Sequence, residues 1–246
     1  MAGMERGTNA IKFDGDTVFK ILERTLRDDW REFVVLVADN LDNSPFAVLV
    51  SIILSQNTND KNSIKAYQNL RSILGRVTPE RVLSTPTDKL ADAIRIAGLA
   101  KQKAETIRRL ASRLLEYGGE DFLRRADVGT LREFLLSIKG IGKKTVDVFL
   151  AFYRGAEVFA VDTHARRIAI RWGLASHNAS YDEISSALLR FFGGRRSEKA
   201  HRLLILLGRK YCKPRNPRCR ECPVGAVCPY ARKPSLHRSL ERSTGR

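Results

Sequence analysis

The stretch CKPRNPRCRECPVGAVC, residues 212–228, contains every cysteine of the chain and is its most informative segment. Cys212, Cys219, Cys222 and Cys228 follow the spacing C-x6-C-x2-C-x5-C, and no other cysteine competes with them. Four thiols this close in sequence can ligate one tetrahedral metal centre, and thiolates select zinc or an iron–sulfur cluster. The segment therefore predicts a metal-anchored C-terminal fold, but by itself it indicates no reaction.

The composition indicates a globular protein with a polyanionic partner. A length of 246 residues with 43% hydrophobic residues suits one large domain or two small ones. The formal charge is +17, from 44 Lys and Arg against 27 Asp and Glu. Such an excess favours binding to nucleic acid through counterion release and electrostatic steering. The alternative is a Lys/Arg-rich surface of a ribosomal or thermostable protein.

The N-terminal residues MAGMERGTNAIKFDGD lack the apolar core of a signal peptide. The longest apolar stretches, Phe33–Ala38 and Phe46–Leu54, are too short to span a bilayer. We therefore expect an intracellular protein that is not secreted, located in the cytoplasm or nucleoid, or in the nucleus of a eukaryote. In that reducing environment four neighbouring cysteines argue for a metal rather than for disulfides.

Helical periodicity dominates the chain and strand alternation is nearly absent, which predicts an all-α fold. Glycine, proline and amide clusters separate the periodic segments. The predicted helices are 16–27, 29–40, 45–56, 62–74, 87–97, 101–117, 129–137, 143–153, 163–172, 181–192 and 197–211. Residues 233–246, KPSLHRSLERSTGR, are polar and basic, and we expect them to form a mobile tail.

The segment LSIKGIGKKT, residues 136–145, precedes an apolar helix. Gly140 and Gly142 would let backbone N–H groups approach a phosphate oxygen at the start of that helix, with help from the helix dipole. This pattern is typical of a helix–hairpin–helix phosphate clamp, which contacts the nucleic-acid backbone and not the bases. An ordinary helix–turn–helix loop with glycines for steric reasons is the alternative.

Lys143 and Lys144 begin the same helix, where a positive dipole end and neighbouring cations favour a neutral amine. A neutral amine can attack a sugar C1′ and form a Schiff base, although both lysines could instead neutralise phosphates. Asp162 follows within VDTH, where it could cap a helix or stabilise positive charge on a sugar. Local sequence leaves these alternatives open.

The segment LSQNTND, residues 54–60, ends an apolar helix with a run of amide side chains. Such side chains can enter a duplex and hydrogen-bond to base edges, but they are equally typical of a helix end and turn. Taken in order, these segments, with Gly98-Leu99 and the HRLLILLGR run at 201–209, resemble the endonuclease III branch of the helix–hairpin–helix DNA glycosylases. The resemblance extends over roughly residues 45–230.

The resemblance implies a role for each of the motifs. Lys144 would be the Schiff-base nucleophile and Asp162 its catalytic carboxylate. Gln56 would fill the gap left by an extruded nucleotide, and Leu99 would be a wedge in the duplex. The cysteine spacing is the one this family uses to bind a structural [4Fe–4S] cluster. The remaining DNA-binding residues would be Gly140, Gly142 and Lys143 of the hairpin, and Lys213, Arg215, Arg218 and Arg220 between the cysteines.

The implied fold is all-α with two lobes. A six-helix barrel would comprise residues 45–153, and an iron–sulfur cluster lobe would comprise residues 1–44 and 154–232. The implied activity is that of a monomeric DNA glycosylase and AP lyase of base excision repair. It would remove oxidised pyrimidines from duplex DNA, also act at abasic sites, and nick the strand by β-elimination. A mismatch glycosylase acting on thymine, uracil or adenine, and a non-catalytic zinc-containing nucleic-acid-binding module, are the alternatives.

Overall fold

The computed structural model describes residues 12–232; residues 1–11 and the predicted basic tail, 233–246, lie outside the described part. Every regular element from 12 to 232 is helical, which confirms the all-α prediction. The α-helices are α1 Gly15–Thr25, α2 Val34–Asp42, α3 Pro45–Leu54, α4 Asp60–Leu74, α5 Pro79–Ser84, α6 Thr87–Ala93, α7 Ala100–Glu116, α8 Glu120–Arg125, α9 Val128–Ser137, α10 Lys143–Tyr153, α11 Thr163–Arg171, α12 Tyr181–Phe192 and α13 Ser197–Lys210. Short 3-10 helices form at Trp30–Glu32, Arg95–Ala97 and Gly194–Arg196.

The chain folds into two compact units. One, here called the barrel unit, comprises residues 28–160; the other, the cysteine unit, combines the N-terminal residues up to 27 with those from 161 onward. The sequence-based division assigned residues 1–44 and 154–232 to the second lobe, whereas the compact units place 28–44 and 154–160 with the barrel helices. Val34 and Ala38 of α2 are buried in the same apolar core as α3. Because these two residues are buried in that core, α2 belongs to the barrel unit.

Helix α3 forms the centre of the barrel unit. Its sequence PFAVLVSIIL is buried at every position, as expected for a helix that is apolar on all sides. Ser44 starts the helix by accepting a hydrogen bond from the Ala47 N–H at 3.1 Å, and Pro45 occupies the first turn. Helices α2, α4, α7, α8 and α10 pack around α3. The C-terminal end of α3 therefore lies within one rigid core with α7 and α10.

The cysteine unit is built from α1, α11, α12 and α13. Phe13, Trp172 and Phe191 form an aromatic cluster with ring centroids 5.3–5.7 Å apart, which joins the N-terminal segment to the C-terminal helices. Arg196 pairs with Asp16 at 2.7 Å across the same junction. Among the described helices, none has both the length and the apolar content needed to cross a bilayer.

Candidate functional site

The predicted hairpin is a tight turn between α9 and α10. Gly140 has a φ of +101°, and a Cβ there would overlap the side chain of Thr106 on α7. Only glycine fits this combination of backbone angle and close packing. Arg109, also on α7, donates to the Lys139 carbonyl at 2.6 Å. Thr106 and Arg109 therefore hold the hairpin against α7.

Helix α10 begins directly after this turn, and its first N–H groups have no side-chain cap. Gly142 is exposed, and open space surrounds the position that a Cβ would take. Uncapped N–H groups next to a glycine suit a phosphate oxygen. Lys143 is exposed and Lys144 is half-buried in the first turn of α10. The structure thus places an amine next to a backbone suited to anions.

The loop after α3 carries Gln56 to the hairpin. The side-chain amide of Gln56 donates hydrogen bonds to the Gly140 carbonyl at 3.2 Å and to the Thr145 hydroxyl at 3.0 Å. Asn57, the next residue, is exposed and has a left-handed backbone with φ +53°. The amide-rich loop and the hairpin, which are far apart in sequence, therefore meet in the barrel unit.

The structure places Leu99, the predicted wedge residue, on the surface of the barrel unit. It lies directly before α7 in a left-handed conformation with φ +51°, after Gly98 with φ +70°. Its side chain is 53% exposed, which is unusual for a large apolar residue. A left-handed backbone at a non-glycine residue is disfavoured by roughly 1–3 kcal/mol and persists where its surroundings impose it. Leu99 is therefore both exposed and in a disfavoured backbone conformation.

Lys103 was not singled out by the sequence analysis. It lies on α7 with only 2% of its surface exposed, and its ammonium donates to the carbonyls of Leu54 and Ala97, both at 2.8 Å. Burial lowers the pKa of Lys103 to about 8. Leu54 and Ala97 directly precede the loops of Gln56 and Leu99. The only sign of this burial in the sequence is that the lysine lies among the apolar positions of α7.

Asp162 belongs to the cysteine unit and caps α11. Its Oδ1 accepts a hydrogen bond from the Ala165 N–H at 2.7 Å, and its backbone is extended. The capping role considered from the sequence is therefore observed. The side chain is half-buried. A carboxylate can accept more than one hydrogen bond, so capping does not by itself exclude a second, chemical role.

The four cysteines line a single cavity in the cysteine unit. Arg171, Trp172, Leu207 and Tyr230 contribute to its wall. All four cysteines are free thiols. Across residues 12–232, no cluster of three or more His, Cys, Asp or Glu side chains has the geometry to hold a single metal ion. One cavity lined by four free thiols nevertheless fits a thiolate-bound group in its chemistry.

Burial disfavours the thiolate form of three of these cysteines. It raises the pKa of Cys222 to about 12 and also raises the pKa of Cys219 and Cys228. A thiol ligand must lose its proton when it binds a metal. Cys219, Cys222 and Cys228 would therefore release protons when they bind a metal.

Arg171 of α11 organises the start of the cysteine loop. Its guanidinium donates to Cys212 Sγ at 3.2 Å, to the Lys213 carbonyl at 2.7 Å and to the Pro214 carbonyl at 2.9 Å. It also lies over the ring of Tyr230, 4.8 Å from the centroid. A single side chain thus holds both ends of the loop, 212–214 and Tyr230, around the cavity.

The basic residues between the cysteines differ in exposure, and Arg218 also contributes to the wall of the cysteine cavity. Arg215, Arg218 and Arg220 are exposed, whereas Lys213 is half-buried. Arg218 forms a long ion pair of 3.9 Å with Glu221, which is weak at an exposed site. These side chains are positioned by the fold of the cysteine loop and can reach a polyanion.

Comparison with known proteins identifies the class and then the family. A model described as HhH-GPD superfamily base excision DNA repair protein matches residues 50–193. Endonuclease III of Sulfolobus acidocaldarius is 34% identical over 209 residues, covering 85% of this chain and 92% of that protein. Endonuclease III of Bacillus subtilis is 32% identical over 192 residues, covering 78% and 84%. The chain therefore belongs to the endonuclease III family of the HhH-GPD superfamily, which confirms the resemblance inferred from its motifs.

Solved structures agree with this assignment. A trapped endonuclease III–DNA covalent intermediate matches with a TM-score of 0.66 at 28% identity, covering 76% of this chain and 84% of that chain. A thermostable thymine-DNA glycosylase shares the fold, with a TM-score of 0.70 at 24% identity, covering 88% and 94%. The helical architecture is thus common to glycosylases of different specificity, and fold alone does not define the substrate.

Proposed function

We propose that this protein is a bifunctional DNA glycosylase and AP lyase that removes oxidised pyrimidines from duplex DNA during base excision repair. The observation that carries the proposal is the position of Lys144. Its half-buried amine lies in the first turn of α10, directly after a glycine hairpin whose backbone suits a phosphate. A DNA strand gripped at the hairpin would bring a sugar close to this amine.

Base removal requires the damaged nucleotide to leave the helical stack. Unstacking is easier for a poorly stacked lesion, which contributes to selectivity. Gln56 is the residue that we assign to the gap in the duplex, and Leu99 is the wedge. Leu99 supports this role by its exposure and its left-handed backbone. Gly140, Gly142 and Lys143 would hold the phosphate backbone through N–H groups and positive charge.

The chemistry begins with the Lys144 amine. Its Nζ forms a bond to the sugar C1′ while the bond from C1′ to the base breaks, and the base leaves with that electron pair and takes up a proton. The bond between C1′ and the ring oxygen then breaks, the ring oxygen takes up the proton that Nζ loses, and a protonated imine between Nζ and C1′ results. Removal of a C2′ proton expels the 3′ phosphate and nicks the strand. Asp162 would stabilise positive charge on the sugar and assist proton transfer.

We further propose that Cys212, Cys219, Cys222 and Cys228 hold a [4Fe–4S] cluster. The support is a single cavity lined by four free thiols, with Arg171 fixing the loop around it. Bound there, the cluster would cross-link the loop and have a structural role. The loop would then present Lys213, Arg215, Arg218 and Arg220 to the DNA backbone.

The test of the lyase assignment is borohydride trapping on DNA containing an abasic site. Lys144→Gln should abolish the covalent adduct and leave DNA affinity within about threefold, since only one of many charges is removed. Lys143→Gln removes the neighbouring exposed charge and should still be trapped. An adduct that persists in Lys144→Gln would refute the assignment of Lys144.

A panel of lesions tests the substrate class. Duplexes containing thymine glycol, dihydrouracil, uracil or an adenine mismatch are incubated with the protein, with and without borohydride. We expect excision of thymine glycol and dihydrouracil to be fastest. Faster excision of a mismatched thymine, uracil or adenine would indicate a mismatch glycosylase instead.

The visible spectrum tests the cofactor. A brown protein with broad visible absorption and stoichiometric iron is expected for a [4Fe–4S] cluster. A colourless protein with stoichiometric zinc, which binds DNA but releases no base, would instead support the non-catalytic zinc-containing module.

A further inference from the structure

Lys103 is a buried cation that connects two segments of the barrel unit. Its ammonium donates to the Leu54 carbonyl and to the Ala97 carbonyl, both at 2.8 Å. These carbonyls lie 49 and 6 residues from Lys103 in sequence. A single side chain on α7 therefore holds the end of α3 and the end of the 3-10 helix Arg95–Ala97 together.

Both acceptors are helix ends. Leu54 is the last residue of α3, and Ala97 is the last residue of the 3-10 helix. Carbonyls in a final helical turn lack an intrahelical donor, and a positive charge is favoured at this end of the helix dipole. Lys103 thus acts as a C-terminal cap shared by two helices, supplied from a third.

The two capped helices lead directly into the two loops that we assign to the interior of the duplex. Gln56 comes two residues after Leu54, and Leu99 comes two residues after Ala97. Each loop turns sharply through a left-handed residue, Asn57 with φ +53° and Leu99 with φ +51°. The cap therefore lies immediately before each turn, at the point where each loop leaves the core.

Placing a lysine ammonium at this position carries a cost of burial. Burial lowers the pKa of Lys103 to about 8, because removing an ammonium from water is unfavourable. In return, the buried ammonium makes the two hydrogen bonds of 2.8 Å to the Leu54 and Ala97 carbonyls, and both of these lie at the start of a loop.

The same helix also supports the hairpin. Thr106 packs against Gly140, and Arg109 donates to the Lys139 carbonyl at 2.6 Å. Positions 103, 106 and 109 recur every three residues and lie along one side of α7. Helix α7 is thus the common support of the Gln56 loop, the Leu99 loop and the hairpin.

We propose that Lys103 is a positioning residue for lesion recognition. It holds the loops of Gln56 and Leu99 in a fixed position relative to each other, so that both enter the duplex at the same base pair. This inference rests on the proposed function, because the two loops have their roles only in a glycosylase. Lys103 itself is enclosed in the protein core and acts through Leu54 and Ala97.

The experiment compares the affinity of full-length Lys103→Met for two duplexes, one with a tetrahydrofuran abasic analogue and one undamaged. We expect the preference for the abasic analogue to fall about tenfold, since misplacement of recognition groups by about 1 Å has effects of this size or larger. Lys101→Met removes an exposed charge from the same helix. It should change both affinities by the same factor and leave the preference intact.

Two further measurements separate positioning from chemistry and from folding. Borohydride trapping on a preformed abasic site at saturating protein should persist in Lys103→Met, because Lys144 lies on α10. Lys103→Gln keeps a shorter donor and should lose less of the preference than Lys103→Met. In a Leu99→Ala background, Lys103→Met should have a smaller effect than in the parent, because the two residues act through one loop.

The outcomes distinguish the two proposals. A wild-type protein with no preference for the abasic analogue contradicts the proposed function itself. A wild-type preference that stays within about twofold in a folded Lys103 variant overturns the positioning role alone, since such a change is under 1 kcal/mol. Failure of both Lys103 variants to fold, checked by thermal melting, would assign Lys103 to stability only and would also overturn it.

Discussion

The side-chain amide of Gln56 donates a hydrogen bond of 3.2 Å to the carbonyl of Gly140, so the loop after α3 is tied to the hairpin. A second bond, of 3.0 Å, joins the same amide to the Thr145 hydroxyl. In the proposed function Gln56 fills the gap left by the extruded nucleotide, and it would exchange these partners for groups of the duplex. The contact would then be a resting position that competes with DNA.

This competition predicts opposite behaviour for two variants. Gln56→Ala should weaken binding to a duplex with an abasic analogue by about tenfold, because the gap is left unfilled and a hydrogen-bonding residue is lost. Thr145→Val removes one of the two resting partners and leaves the Gly140 carbonyl, so binding should stay within about twofold or become tighter. Fluorescence anisotropy titrations give both affinities. Equal weakening in both variants would mean that the Gln56–Thr145 contact is part of the bound state.

The two hairpin glycines should respond differently to alanine. Gly140→Ala would place a Cβ against Thr106 at a φ of +101°, and should destabilise the protein by roughly 1–3 kcal/mol. Gly142→Ala meets open space at a negative φ, so stability should change by less than about 1 kcal/mol. Its methyl group would instead obstruct a phosphate and weaken DNA binding. Chemical unfolding and binding titrations separate the two effects.

Most helices could be predicted from the sequence because their ends carry local signals. Helix α10 begins after Gly142 and α12 begins at the Ser180–Glu183 capping box, and both have the predicted bounds. Helix α5, Pro79–Ser84, was not predicted, since six residues are too few to show a helical period. The predicted helix 87–97 is instead α6 followed by the 3-10 helix Arg95–Ala97.

The site could be predicted only in part. Its motif residues have distinctive local patterns, as in the glycines around Ile141 or the cysteine spacing. Lys103 has no such pattern, because its partners Leu54 and Ala97 are backbone carbonyls that any residue would provide. The docking of Gln56 on the hairpin likewise depends on a tertiary contact 84 residues away in sequence. Long-range contacts to backbone atoms leave no signature in a single sequence.

Variants of Asp162 can separate its role as the N-cap of α11 from its proposed role in the reaction. Asparagine is as good an N-cap as aspartate, so Asp162→Asn should keep the bond to the Ala165 N–H and change stability by under about 0.5 kcal/mol. Loss of the carboxylate charge should nevertheless lower the single-turnover excision rate by roughly 10²-fold or more. Asp162→Ala, which loses both functions, should in addition cost about 1 kcal/mol of stability. Full activity in Asp162→Asn would leave capping as the only role of this residue.

The buried amine of Lys103 should make stability depend on pH in a defined direction. Its pKa is about 8 in the folded protein and close to the ordinary lysine value of 10.5 in the unfolded chain. Below pH 8 both states hold the proton and the unfavourable burial of charge is fully present. Between these two values the unfolded chain binds more protons than the folded protein, so the stability contributed by this site rises with pH.

Lys103→Met removes this dependence and provides the reference. Relative to that variant, the wild-type protein should gain roughly 2 kcal/mol in free energy of unfolding between about pH 7.5 and 9.5. Urea unfolding at each pH measures the difference, and subtraction removes the titration of groups common to both proteins. The same comparison with Lys101→Met should show no such trend, since that amine is exposed in the folded protein. The difference in free energy of unfolding between the wild-type protein and Lys103→Met could instead stay constant over this pH range. That result would mean that the Lys103 ammonium is not desolvated, and that water reaches the junction of the two loops.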